Sequence, residues 1–308
     1  VTEATAAAAP APVPGLFERA RRFLEMIRFS HTVFALPFAV TAMLLPRRGL
    51  PDARTVAWIL AAMVGARTAA MTFNRLADHR LDARNPRTAG RALPAGTLGR
   101  GFAVAALLLS SGLFLLAAWS LNPLCFRLAF PTLAVLLGYS LTKRFTSLCH
   151  FALGLALAIS PLGGYLAVTG AFDGGFPAAL ALALAVFFWL PGFDILYACQ
   201  DIDSDRATGL HSIPVSLGVP RALRLAAALH AVTVGCLFAF GVLAGFGAPY
   251  FVAAGVVVAL LLMEHRIVRP DDLTRVNVAF FRINAAVSIL VLAGSCADLL
   301  LRPGTMPG

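Results

Sequence analysis

Apolar runs close to 20 residues long recur along almost the whole of this 308-residue chain. That recurrence limits the fold more than any other feature. A run of this length crosses a bilayer core as one α-helix, because each residue adds about 1.5 Å of rise and every backbone polar group is satisfied within the segment. Nine spans are predicted, at roughly 30–46, 55–76, 101–120, 124–142, 147–169, 177–199, 221–244, 247–264 and 279–301. The expected fold class is therefore all-α: a polytopic membrane protein with nine transmembrane helices in one bundle around a central cavity. Composition agrees, since 59% of the residues are hydrophobic and only 13% charged, about half the charged share of a soluble chain. Pro37 and Pro161 fall inside predicted spans and are expected to kink them.

The flanks divide the chain into three parts. Residues 1–15 are mostly Ala and Pro, are expected to be disordered, and lack the basic start and apolar core of a signal peptide. Residues 16–302 are expected to form the membrane domain, and 303–308 a short tail. From Leu16 to Arg28 the apolar residues Phe17, Ala20, Leu24 and Ile27 recur at helical spacing, which predicts a helix lying on the membrane surface.

The formal net charge of +10 would suggest nucleic acid in a soluble protein. Here it follows the spans. The loops after even-numbered spans carry Arg80, Arg84, Arg87, Arg91, Arg100, Lys143, Arg144, Arg206, Arg266, Arg269 and Arg275, whereas the opposite side has Arg47, Arg48, Arg54, Arg127 and Arg302. The positive-inside rule makes the first side cytoplasmic and puts the N-terminus there, in a membrane of the bacterial inner type. No nucleic-acid partner is expected. Cys125, Cys149, Cys199, Cys236 and Cys296 show no paired spacing and read as small apolar fillers. His31 and His150 stand alone at span ends, without a second ligand at metal-binding spacing.

Two acidic runs close apolar spans on the cytoplasmic side. Asn74, Asp78 and Asp82 fall at i, i+4 and i+8 and share a helix face. Asp201 and Asp205 repeat the spacing, Asp194 lies two turns before Asp201 on nearly the same face, and Asp203 points away. Two carboxylate faces across a cavity make a hard-oxygen site of the kind Mg²⁺ occupies together with substrate phosphates. Metal ligands are thus expected from Asn74, Asp78, Asp82, Asp201 and Asp205. Arg67 within the second span, Arg75, Lys143, Arg144 and Arg28 supply the cations that a diphosphate needs. A diphosphate pocket joined to an apolar bundle suits an isoprenyl diphosphate, whose allylic cation requires dry, aromatic surroundings. Phe34, Phe38, Phe73, Tyr139, Phe193 and Tyr197 are placed to provide them. Tyr139 and Tyr197 stand out, because a buried tyrosine hydroxyl usually has a partner.

These motifs resemble the UbiA superfamily of intramembrane aromatic prenyltransferases. The resemblance rests on Asn74-x-x-x-Asp78-x-x-x-Asp82, followed by Asn85-Pro86-Arg87-Thr88 and Arg91-Ala92-Leu93-Pro94-Ala95-Gly96. It rests equally on Asp194-Ile195-Leu196-Tyr197 with Asp201 and Asp205, followed by Gly209, Ser212 and Pro214, and on Tyr139-Ser140 with Lys143-Arg144. It covers about residues 20 to 300. It implies a nine-helix bundle, Mg²⁺ dependence, and transfer of a polyprenyl chain from a polyprenyl diphosphate to a ring carbon of a small aromatic acid. Asp194, Tyr139, Arg67 and Lys143 are the expected catalytic residues, and Arg28, Asn74, Arg75, Ser140, Arg144 and Tyr197 the expected substrate contacts. Many 4-hydroxybenzoate enzymes of the family start the first motif with Asn-Asp, where this chain has Asn74-Arg75. The string from Arg67 to Arg75 is more similar to a subgroup associated with menaquinone made through futalosine, whose acceptor is a dihydroxynaphthoate. Arg28, Arg67 or Arg75 could hold the acceptor's carboxylate, and Asp194 is expected to take a proton at the ring end of the cavity. The competing class is an ion-coupled transporter. It would put charge near the midplane and show inverted repeats, neither of which is seen.

Overall fold

A computed structural model of the chain describes residues 16–26 and 34–302. The expected tails, Arg28, His31 and the start of the first predicted span lie outside the described residues. In chain order the helices are α1 (Leu16–Met26), α2 (Leu36–Leu44), α3 (Ala53–Asp82), α4 (Arg100–Leu121), α5 (Pro123–Thr142), α6 (Cys149–Thr169) and α7 (Phe176–Ala198). After a 3-10 turn at Cys199–Asp201 come α8 (Ile202–Thr208), α9 (Ile213–Leu217), α10 (Val219–Leu243), α11 (Ala248–Ile267) and α12 (Val276–Val278). A π-helical turn, Ala279–Ile283, leads into α13 (Asn284–Leu301). Apart from one bridge between Arg269 and Asp272, the described residues hold no extended pairing. The protein is a polytopic all-α membrane protein, and eight of its described helical segments are long and apolar enough to cross a membrane. The first predicted span is described from residue 34 on, and its helical part there is α2, nine residues long.

Local sequence explains most helix ends. Asp52 caps α3 by accepting from the Thr55 amide and hydroxyl. Asn122 caps α5 through the Cys125 amide, and its own amide group donates to the Leu166 carbonyl near the end of α6, tying the two helices together. Prolines occupy the first turns of α2, α5, α7, α9, α10 and α11, where no intrahelical donor is lost. Pro37 belongs to this group. The expected kink at that residue is therefore corrected: it starts α2 rather than interrupting it. Pro161 does lie inside α6.

In a bilayer, helices associate through close packing rather than through the exclusion of water, and small residues bring the backbones together. A Cβ added to Gly164 on α6 would lie 2.4 Å from the Ala39 carbonyl oxygen of α2, and one added to Gly154 would lie 2.8 Å from the Phe187 carbonyl oxygen of α7. The span that contains α7 is the central post of the bundle, with 72% of its most apolar window buried, against 50% or less in every other span. Packed between α6 and α10, α7 carries the second acidic run to the same end of the bundle as the first.

α1 seats on the connection between α3 and α4, where Met26 packs with Leu93, Leu98 and Ala103 and the Phe23 ring meets Phe102 edge-on. On the apolar face expected for α1, Leu24 is 50% exposed, and the side chains of Phe17, Ala20 and Ile27 lie outside the described residues. The inward side chains are Phe23 and Met26, because α1 docks on protein there.

Candidate active site

Four stretches converge at one end of the bundle. The last turns of α3 bring Asn74, Arg75, Asp78 and Asp82, and the loop after α3 brings Asn85, Arg87 and Arg91. The end of α5 brings Tyr139, Ser140, Lys143 and Arg144, and α7 with its continuation brings Asp194, Tyr197, Asp201 and Asp205. All of them line one polar chamber of about 270 Å³. Below it lies an apolar cavity of about 550 Å³ between α2, α3, α5, α6 and α7. Tyr139, Leu153 and Asp194 line both spaces and so mark the junction between them.

Within the chamber Asp78, Asp82, Asp201 and Asp205 are each held by a cation from another stretch. Asp78 Oδ1 accepts from Arg144 Nη2 at 2.9 Å, and Asp78 Oδ2 accepts from Asn74 Nδ2 at 3.1 Å. Asp82 Oδ1 accepts from Arg91 Nη1 at 2.7 Å, while its Oδ2 lies 3.9 Å from Arg75 Nη1. Arg87 forms a two-pronged pair with Asp201, through Nε at 2.9 Å and Nη2 at 2.7 Å. Its remaining Nη1 donates to the Tyr197 hydroxyl at 3.0 Å. Asn85 adds a longer contact to Asp201, and its side-chain oxygen caps the Arg87 amide. Lys143 Nζ lies 2.7 Å from Asp205 Oδ1. Burial works against the charge on Lys143 and on Arg87, but Asp205 and Asp201 respectively outweigh it and hold both groups above their ordinary values.

Several expectations change in detail. Arg67 does not join the diphosphate cations: it lines the apolar cavity, because it sits two turns before Asn74 on α3, towards the bundle interior. Arg75 is buried, and it donates to the Met26 carbonyl and to Asn74 Oδ1. Asp194 and Asp201 do not share one uninterrupted helix, since the 3-10 turn at Cys199–Asp201 intervenes. Asp203 is exposed. Ser140 and Arg144 stand in the chamber wall as expected.

The sequence reading did not single out Arg87, Arg91 or Asn85 as site residues. The Asn85-Pro86-Arg87-Thr88 and Arg91 strings beside the first motif were the available signal, but topology alone accounted for the arginines. It also missed His150, whose Nδ1 lies 2.7 Å from Asp194 Oδ2. The aromatic wall has a further member in Phe280, which packs on Phe34 at 5.7 Å, Phe193 at 5.2 Å and Tyr197 at 4.3 Å between ring centres. Phe34, Phe193 and Phe280 line the apolar cavity. Phe38 instead packs behind them on Trp189.

Among the described residues no three acidic, histidine or cysteine side chains converge as a ready-made metal cage. The donor set nevertheless suits a hard cation that shares its shell with phosphate oxygens and water. Asp82 Oδ2 and Asp205 Oδ2 are buried with no hydrogen-bond partner, and oxygen donors stand on both walls of the chamber.

Comparison with known proteins agrees with this geometry. The UbiA prenyltransferase family profile matches residues 35–286. The chain is 31% identical to a 4-hydroxybenzoate octaprenyltransferase of Methylobacillus flagellatus, over 80% of this chain and 82% of the other. It is 29% identical to one from Nitrosomonas europaea, over 82% and 85%. Among solved structures, the apo structure of a UbiA homolog from Aeropyrum pernix K1 superimposes with a TM-score of 0.80 at 34% identity, covering 87% of this chain and 98% of that one. A UbiA homolog from Archaeoglobus fulgidus bound to DMAPP and Mg²⁺ shares the fold, with a TM-score of 0.67 at 20% identity, covering 88% and 99%.

Proposed function

The chain belongs to the UbiA prenyltransferase family and is an aromatic prenyltransferase, and from that premise we propose that it transfers a polyprenyl chain from a polyprenyl diphosphate to a ring carbon of a hydroxylated aromatic carboxylate of the 4-hydroxybenzoate type. One observation carries the reading: a chamber of paired carboxylates and cations opens directly into an apolar, partly aromatic cavity at Tyr139 and Asp194. The diphosphate belongs in the first space and the hydrocarbon chain in the second. The names of the bacterial relatives support the acceptor class, and the DMAPP and Mg²⁺ in the archaeal neighbour support the donor.

In this reading Asn74, Asp78, Asp82, Asp201 and Asp205 would hold Mg²⁺. The metal supplies Lewis-acid neutralisation of the departing diphosphate. Arg87, Arg91, Lys143 and Arg144 turn from their carboxylates to the diphosphate oxygens and stabilise the charge that grows there. Phe34, Phe193, Phe280 and Tyr197 keep water from the allylic cation and offer it π-faces. Among the described residues Arg67 is the basic side chain lining the apolar cavity, and it pairs with the acceptor's carboxylate. Asp194, at the junction, receives the ring proton. The chamber faces the cytoplasm of a bacterial-type inner membrane, on the arginine-rich side.

A second acceptor, 1,4-dihydroxy-6-naphthoate, is favoured by Asn74-Arg75 and the string that begins at Arg67. Membranes carrying the protein decide between them. They would be given radiolabelled polyprenyl diphosphate and Mg²⁺ with either acid, and the expected product is a prenylated 4-hydroxybenzoate. Product from the naphthoate alone replaces the first acceptor with the second, and product from neither refutes the acceptor class.

A further inference from the structure

The proton assigned to Asp194 raises the question of what holds that carboxylate in place, and the answer lies outside every motif described so far. His150 opens α6, is 3% exposed, and sits 44 residues from Asp194 in sequence. Its Nδ1 is 2.7 Å from Asp194 Oδ2. Its Nε2 accepts the Ile213 backbone N–H at 3.4 Å. A neutral imidazole has one N–H and one lone pair. If Nε2 is the acceptor, the proton sits on Nδ1 and points at Asp194. The Ile213 end is itself fixed, since the neighbouring His211 amide donates to the Lys143 carbonyl at 2.8 Å and the Ser212 side chain caps α9. The imidazole therefore spans two anchored elements. It holds one oxygen of a carboxylate that is about a quarter exposed (23%) and lines both chambers.

We propose that His150 is a positioning residue for ring deprotonation: it holds Asp194 Oδ2 so that the second oxygen faces the acceptor ring at the junction. This rests on the aromatic-acceptor reading above. The C1–O bond to diphosphate breaks, and its electron pair leaves with the diphosphate. A ring carbon bonds to C1, and the C–H bond at that carbon then breaks. Its electron pair restores aromaticity, and the proton passes to Asp194 and on to water in the polar chamber. His150 keeps its own proton throughout, as the donor that orients the base. Orientation of this kind is what the third member of a nucleophile–base–orienter set supplies.

The test compares wild type with His150→Leu, which removes the donor, and His150→Asn, whose side-chain amide nitrogen reaches about as far as Nδ1. Each protein is given polyprenyl diphosphate and 4-hydroxybenzoate bearing hydrogen or deuterium at the ring positions next to the hydroxyl. In wild type the ionisation step is expected to limit the rate, so the isotope effect should be close to one. In His150→Leu, kcat should fall about 10² -fold, the scale of a general-base contribution. Its KM for prenyl diphosphate should stay within about twofold, and a primary isotope effect should appear as C–H cleavage becomes limiting. His150→Asn should recover most of kcat and suppress the isotope effect. A lowered kcat with no isotope effect, or with prenyl diphosphate affinity lost in both variants, makes His150 a packing residue and overturns the inference. So does unchanged turnover in His150→Leu. If wild type itself prenylates neither 4-hydroxybenzoate nor the dihydroxynaphthoate, the acceptor reading falls and this inference with it. If the naphthoate alone is used, the same comparison is made with that acid deuterated at its reacting position.

Discussion

Replacing Lys143 with methionine isolates what the chamber's own cations do before any ligand arrives. Lys143 Nζ lies 2.7 Å from Asp205 Oδ1, with side-chain exposures of 35% and 3%. The other Asp205 oxygen is buried with no hydrogen-bond partner. Methionine keeps much of the length and removes the charge. Deleting one member of a fully buried ion pair costs about 3–5 kcal/mol, whereas an exposed pair is worth about 0–1 kcal/mol. With one partner buried and the other a third exposed, a loss of about 2–3 kcal/mol is expected in the metal-free protein. In the proposed metal site, that loss is the free energy with which Lys143 would compete against Mg²⁺ for the same carboxylate. Removing the competitor should therefore tighten apparent Mg²⁺ binding by about 30- to 150-fold. The assay is thermal unfolding of the purified protein in detergent across an Mg²⁺ titration. The variant should melt lower in chelator and respond to less metal. Equal half-saturation in the two proteins would refute the idea that lysine and metal share Asp205. The pair also has a predictable pH range. The Lys143 ammonium is held above its ordinary 10.5, so its contribution is complete below that value and is lost as pH rises through the still higher folded value. The stability gap between wild type and variant should accordingly stay flat from about pH 6 to pH 9.

Asp201→Asn should weaken prenyl diphosphate binding and its response to Mg²⁺, while Asp194→Asn should leave that affinity nearly intact and slow ring alkylation; equal loss of affinity in both variants would assign all three carboxylates of the second run to the metal. Arg67→Gln should raise KM for 4-hydroxybenzoate by about 10- to 100-fold, the worth of a hydrogen bond between charged partners, with little change in KM for the prenyl diphosphate; an unchanged acceptor KM removes Arg67 from the acceptor site. Gly164→Ala would put a methyl group 2.4 Å from the Ala39 carbonyl oxygen and should cost about 1–3 kcal/mol by overpacking, read as a lower melting temperature. An unchanged melting temperature would mean that α2 and α6 are not held in close contact there.

The bundle was largely legible in the sequence because an apolar run of span length has one stable answer in a bilayer. The predicted span at roughly 124–142 and α5 at Pro123–Thr142 nearly coincide for this reason. Motif residues separated by four positions were also legible, since Asn74, Asp78 and Asp82 do share the end of α3. What could not be read was pairing between distant stretches. Nothing near Asp201 points to Arg87, 114 residues earlier, and a lone His150 carries no sign of Asp194. The 3-10 turn after Ala198 was hidden as well, because the apolar pattern runs smoothly into the acidic one. Trp189 illustrates the same limit. Its indole N–H donates to Asn284 Oδ1 at 2.8 Å, and Asn284 in turn donates to the fully buried Glu264. This network behind the aromatic wall joins three helices that periodicity treats separately.

The polar chamber is lined by five aspartates, Asp78, Asp82, Asp194, Asp201 and Asp205, and by five cations, Arg75, Arg87, Arg91, Lys143 and Arg144. Setting His150 aside, it is electrically balanced, and it has the logic of an ion exchanger. A bare diphosphate would take the arginines and strand the carboxylates, and a bare cation would do the reverse. In the proposed function, metal and diphosphate entering together would leave no like charges facing one another. The same stoichiometry would govern departure in the proposed reaction: Arg87, Arg91 and Arg144 returning to Asp201, Asp82 and Asp78 would re-form the protein's own pairs and leave no counter-charge for a spent diphosphate and its metal.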